Sequence, residues 1–115
     1  MWERVDLAQK KAKELTLIIL LKNQYTFIAL PEGDILINPT GNPAMAVGGM
    51  GDVLSGMIAA FLAQGYPAKE SAILATYIHG KTGDVLNQEM GMYSIPPGEL
   101  TLLLPEIIQS FCETT

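Results

Sequence analysis

A chain of 115 residues, 49% hydrophobic and 17% charged, carries enough apolar side chain for one packed domain, which excludes a disordered chain. Seven Lys and Arg against twelve Asp and Glu leave a net charge of −5, so the basic footprint of a nucleic-acid binder is missing. The single cysteine, Cys112, rules out an internal disulfide or a Cys-based zinc site and fits a reducing cytoplasm.

The opening residues, Met1-Trp2-Glu3-Arg4-Val5-Asp6, mix charge with apolar groups and lack the continuous hydrophobic stretch of a secretory signal. From about Glu3 to Glu14, Val5, Ala8, Ala12 and Leu15 recur at helical spacing, with Lys10 and Lys13 opposite, which predicts an amphipathic surface helix. Leu17-Ile18-Ile19-Leu20-Leu21 is too short for a core helix and predicts a strand buried on both faces, as in a parallel sheet. Thr26–Leu30 and Ile35–Ile37, separated by Pro31-Glu32-Gly33-Asp34, predict a hairpin that feeds into a loop over Asn38–Pro43. No apolar run is long enough to cross a bilayer.

The stretch Asn42-Pro43-Ala44-Met45-Ala46-Val47-Gly48-Gly49-Met50-Gly51-Asp52-Val53-Leu54-Ser55-Gly56 joins a glycine-rich loop to an apolar helical pattern. If Gly48 to Gly51 enter that helix, their N–H groups have no carbonyl partner and project with the positive end of the dipole, a ready anion site. Glycine lets successive amides approach a phosphate closely. A bare carboxylate repels a phosphate, so Asp52 beside such a site reads as a proton acceptor or a metal holder.

From Asp52, Val53, Leu54, Met57, Ile58, Phe61 and Leu62 lie on one side and Ser55, Gly56, Ala59, Ala60 and Ala63 on the other, which predicts a helix buried all round. Gly65 ends it, and Pro67 opens a second helix over about 67–90, with Ala72, Ile73, Ala75, Thr76 and Ile78 inward and Gly80 and Gly83 weakening its middle. His79, alone in that apolar helix, reads as a hydrogen-bonded structural residue, with a proton shuttle or ligand contact as the alternative. Asp84 and Glu89 read as surface acids. Gly91–Gly98 is a connector, and Glu99–Phe111 predicts a terminal amphipathic helix despite Pro105.

The run from Asn42 to Gly56 resembles the signature of the ribokinase-like, ADP- or ATP-dependent NAD(P)H-hydrate dehydratases, enzymes of nicotinamide nucleotide repair. The family also has a Lys-Gly-x-x-Thr segment that lines the nucleotide phosphates. Here it corresponds to Lys22-Asn23-Gln24-Tyr25-Thr26, with asparagine, which tolerates the left-handed conformation, in place of the glycine. The resemblance implies phosphoryl transfer to a hydroxyl of hydrated NADH or NADPH, followed by elimination. In that scheme the Gly49, Met50 and Gly51 amides stabilise the transferring group, Asp52 is the base, and Asp52 and Asn42 face the substrate. Lys22, Asn23, Gln24, Tyr25, Thr26 and Gly51 contact ADP or ATP, whose phosphates Mg²⁺ bridges; no metal ligand is assigned to the chain itself.

The resemblance runs from about Leu17 to the last helix and implies an α/β fold. Residues 1–115 correspond to one partial domain, the C-terminal part of a ribokinase-like three-layer fold, with a parallel-sheet strand and a hairpin packed by helices and without the preceding βα units. An unpaired apolar edge at Leu17–Leu21 favours association, as a homo-oligomer or with a chain that completes the sheet. Two alternatives keep the same residues: a ribokinase-like kinase for a sugar or vitamin precursor, and an inactive nucleotide-binding fragment. Neither nucleic acid nor a membrane is expected as a partner.

Overall fold

The computed structural model describes residues 2–22 and 25–113. Helix α1 (Trp2–Leu15) is followed by strands β1 (Ile19–Lys22), β2 (Thr26–Ala29) and β3 (Ile35–Asn38), a 3₁₀ turn (Pro43–Met45), and helices α2 (Met50–Ala63), α3 (Ala68–Gln88) and α4 (Pro97–Glu113). The strands form one sheet in the order β1-β2-β3, antiparallel throughout, with Leu20 opposite Ile28 and Ile28 opposite Leu36. The hairpin turn closes where Leu30 N–H meets the Asp34 carbonyl at 2.9 Å and Gly33 adopts φ +110°.

Side chains on β2 alternate between two layers, as a strand's period of two requires. Ala29 faces α1, packing with Ala8, Ala12, Ile19 and Ile35, while Ile28 and Leu30 face α3 through Ala72 and Ile73. Alanines at the inward positions of α1 bring that helix close to the sheet, and Ala12 is fully buried. Leu15, expected inward, is 54% exposed. The helix ends there, with Thr16 at φ 54° and Leu17 N–H closing on the Ala12 carbonyl at 3.0 Å.

Two expectations are corrected. The strand predicted over Leu17–Leu21 is β1, but it pairs antiparallel with β2 and its apolar residues are only half-buried. The connection from Lys22 to Thr26 is too short for the crossover that parallel neighbours need. Among the described residues its other edge has no strand partner. Helix α2, expected to be buried all round, buries Met50, Leu54 and Met57 but exposes Ser55, Gly56, Ala59, Ala60 and Ala63. Only the first face meets α3 and α4, where Leu54, Met57, Ala75 and Ile78 form a core with Leu104, Ile107 and Ile108. No helix among the described residues is long and apolar enough to span a membrane.

Candidate functional site

The loop leaving β3 passes along α3 before entering α2, and these three elements with the end of β1 enclose a cavity of about 650 Å³. Its walls include Lys22, Tyr25 and Thr26 from the strand side, Asn38 and Thr40 to Pro43 from the loop, Met50 and Leu54 from α2, and Thr76, His79 and Gly80 from α3.

The loop is seated on α3 by two glycines. A Cβ on Gly80 would stand 2.7 Å from the Thr40 carbonyl carbon and 2.8 Å from the Gly41 nitrogen, and a Cβ on Gly83 would collide with the Met45 side chain. In the sequence these glycines read as weak points of the helix; in the fold they permit close approach. Polar contacts then fix the loop. Thr40 Oγ1 donates to the Tyr77 carbonyl at 2.9 Å, and the buried Asn38 side chain donates to the Thr40 carbonyl at 3.1 Å.

At the start of α2, Gly49 takes φ +91°, a left-handed cap that glycine adopts without strain, and the first helical bond runs from Val53 N–H to the Gly49 carbonyl at 3.2 Å. The N–H groups of Gly49, Gly51 and Asp52 have no acceptor among the described residues, whereas Met50 N–H reaches the Val47 carbonyl at 3.4 Å. Met50 is 2% exposed, and its side chain joins a core with Ala44, Leu86, Ile95 and Leu100. Asp52 is exposed and makes no hydrogen bond or ion pair among the described residues.

Lys22 and the α2 terminus meet. The Lys22 Nζ lies 3.9 Å from where a Gly51 Cβ would stand, and the ammonium has no ion-pair partner among the described residues. A cation beside the positive end of a helix dipole is unfavourable unless an anion lies between them. The same corner acts on His79, which is 6% exposed, with its Nε2 3.2 Å from the Met50 carbonyl. Burial, with the Lys22 charge adding to it, lowers its pKa to about 4 against a weaker opposing effect of that hydrogen bond. His79 is thus neutral, with Nε2–H donating to Met50.

Of the residues singled out by sequence, Lys22, Tyr25, Thr26, Asn42 and Met50 line the cavity together. Gly49, Gly51 and Asp52 are exposed at the helix start beside it rather than in its lining. Asn23 and Gln24 lie outside the described residues. The Asn42 amide is engaged at both ends: Nδ2 donates to Asp84 Oδ1 at 2.8 Å and Oδ1 accepts from Ala44 N–H at 3.0 Å. Asp84, read from the sequence as a surface acid, was missed. Its other oxygen accepts from Gly41 N–H at 3.1 Å. The signal available was its place after Gly80 and Gly83, one helical face at three- and four-residue spacing.

Residues 2–106 match the family described as NAD(P)H-hydrate dehydratase. The chain belongs to that family. Among the dehydratase relatives, a bifunctional NAD(P)H-hydrate repair enzyme of Moorella thermoacetica is 40% identical over 111 residues, 96% of this chain and 21% of its own length. An ADP-dependent (S)-NAD(P)H-hydrate dehydratase of Bacillus subtilis is 37% identical over 95% of this chain and 40% of its own. The chain therefore spans well under half the length of these relatives. A crystal structure of the Bacillus subtilis ADP/ATP-dependent NAD(P)H-hydrate dehydratase, co-crystallised with ATP and Mg²⁺, superposes with a TM-score of 0.87 at 37% identity, covering 95% of this chain and 39% of that one. A ribokinase-like superfamily protein of Enterococcus faecalis gives 0.80 at 37% identity, covering 90% and 35%. The chain is thus an α/β structure of ribokinase-like kind.

Proposed function

We propose that this chain carries the nucleotide-binding and proton-accepting part of an ADP- or ATP-dependent dehydration of hydrated NADH or NADPH. The observation that carries the reading is the approach of the Lys22 ammonium, which lines the cavity and has no ion-pair partner among the described residues, to Gly51 at the adjoining α2 terminus, where the Gly49, Gly51 and Asp52 amides have no acceptor among the described residues. These residues suit a nucleotide's phosphates: the amides donate along the helix dipole and Lys22 supplies the point charge. Tyr25, Thr26 and the wall of Asn38 and Thr40 to Pro43 offer the remainder of the nucleotide a partly apolar cleft of ligand size. Mg²⁺ is expected to arrive with the phosphates that it bridges.

A bound nucleotide supplies the phosphoryl group that makes a substrate hydroxyl a good leaving group. Asp52, next to the amides and free of protein partners among the described residues, takes the proton from that hydroxyl, while the Gly49 and Gly51 amides hold the negative charge in place. The open edge of β1 and the exposed small-residue face of α2 support association with a further strand and helix, from a second copy or a completing chain, that walls the substrate side.

Titration calorimetry with ADP, together with a turnover assay on hydrated NADH, tests this reading. ADP binds the wild type, and Asp52→Asn binds it equally well but loses turnover by at least about 10²-fold, the contribution of a positioned base. Unchanged turnover in Asp52→Asn removes the acid from the mechanism, and phosphorylation of a free alcohol in place of dehydration makes the chain a kinase.

A further inference from the structure

Asp84 is the acid of α3 that faces the cavity loop, and its two carboxylate oxygens are spent on that loop. Oδ2 accepts from Gly41 N–H at 3.1 Å and Oδ1 from Asn42 Nδ2 at 2.8 Å, both across more than 40 residues of chain. It has no ion-pair partner among the described residues, so its charge is directed at these donors alone. Hydrogen bonds to a carboxylate are roughly twice as strong as neutral ones.

The effect is relayed. With Nδ2 held by the carboxylate, only the amide oxygen of Asn42 is left to face the Ala44 N–H, which it caps at 3.0 Å. That cap starts the Pro43–Met45 turn, whose Ala44 carbonyl takes the Ile95 N–H at 3.0 Å and whose Ala44 side chain shares one core cluster with Met50, at the head of α2. A continuous chain of contacts therefore runs from Asp84 through Asn42 and Ala44 to the helix terminus where the unpaired amides lie.

We propose that Asp84 is a positioning residue: it orients the Asn42 amide and so sets the cavity wall and the α2 terminus at the separation a ligand requires. It touches neither the ligand nor the reacting atoms. For its consequence on affinity the proposal rests on the nucleotide reading above; for its consequence on the loop it does not.

The test uses the 115-residue chain with Asp84→Asn and the exchanged pair Asn42→Asp with Asp84→Asn. In the single variant one of the two donors faces an NH₂ group. In the exchanged pair all three bonds can re-form: the new amide at position 84 donates its NH₂ to the new carboxylate at position 42, that carboxylate caps Ala44, and the amide oxygen at position 84 accepts from Gly41. Amide hydrogen exchange and ADP calorimetry are both read. Asp84→Asn is expected to speed exchange at Gly41 and also at Ala44, which Asp84 does not touch, and to weaken ADP binding about tenfold; the exchanged pair restores both to within about threefold. Wild-type exchange at Ala44 in Asp84→Asn, or failure of the exchanged pair to restore it, overturns the proposal. If the wild type binds no ADP, the nucleotide reading fails and the exchange data alone decide the role of Asp84.

Discussion

Replacing Gly80 with alanine tests how tightly the cavity wall is seated. The new Cβ would stand 2.7 Å from the Thr40 carbonyl carbon and 2.8 Å from the Gly41 nitrogen, and closer still to Thr40 Oγ1. Two of these atoms are backbone, so the collision is relieved only by moving the loop. Overpacking costs about 1–3 kcal/mol, and a backbone collision belongs at the upper end. Alanine returns about 1 kcal/mol of helix propensity, leaving a net loss of about 2 kcal/mol. At roughly 4–8 °C per kcal/mol, that is a fall in Tm of roughly 8–16 °C. Two further variants calibrate the result. The three atoms nearest a Cβ on Gly83 all belong to the flexible Met45 side chain rather than to backbone, so Gly83→Ala stays within about 1 kcal/mol of wild type. A Cβ on Gly56 meets nothing within 4 Å, so Gly56→Ala gains about 1 kcal/mol. Thermal unfolding followed by circular dichroism reads all three. A Gly80→Ala protein that melts at or above wild type, while Gly56→Ala shows its gain, refutes the close seating of the loop on α3.

Two other outcomes follow from the same corner of the molecule. With the folded-state pKa of His79 at about 4 and an unfolded value near 6.5, the unfolded chain takes up the proton first as pH falls. Stability is therefore full above about pH 6.5 and declines towards pH 4, by at most about 3 kcal/mol; denaturant titrations of His79→Gln, which keeps a donor for Met50, should lack that part of the decline. Lys22→Gln removes the cation beside Gly51, so its ADP affinity should fall about tenfold and depend less on salt than that of the wild type, as read by calorimetry at two ionic strengths.

Much of the fold was legible because it is local. Hydrophobic spacing marked all four helices, Pro31-Glu32-Gly33-Asp34 marked the hairpin turn, and Gly49 marked a helix entry that needs positive φ. What escaped was set by packing between distant segments. The burial of α2 depends on which neighbours reach it, and its small-residue face has none among the described residues. Gly80 and Gly83 look like defects until the loop that rests on them is known, and Asp84 looks like solvent-facing charge until Gly41 and Asn42 arrive from the other side of the chain. Of the residues the motifs singled out, Lys22, Tyr25, Thr26, Asn42 and Met50 meet at one cavity, whereas the helix face of Gly80, Gly83 and Asp84 that carries the loop was not legible. The sequence also implied more freedom for Met50 N–H than the structure leaves it, since the Val47 carbonyl accepts from it.

At the centre stands the claim that the unpaired amides at the head of α2 and the Lys22 ammonium grip the phosphates of an adenine nucleotide. Following backbone amide resonances while ADP is added tests this most directly. The largest shifts are expected at Gly49, Gly51 and Asp52, lost in Lys22→Gln at the same ADP concentration. Saturable shifts elsewhere with these three amides unmoved would contradict it.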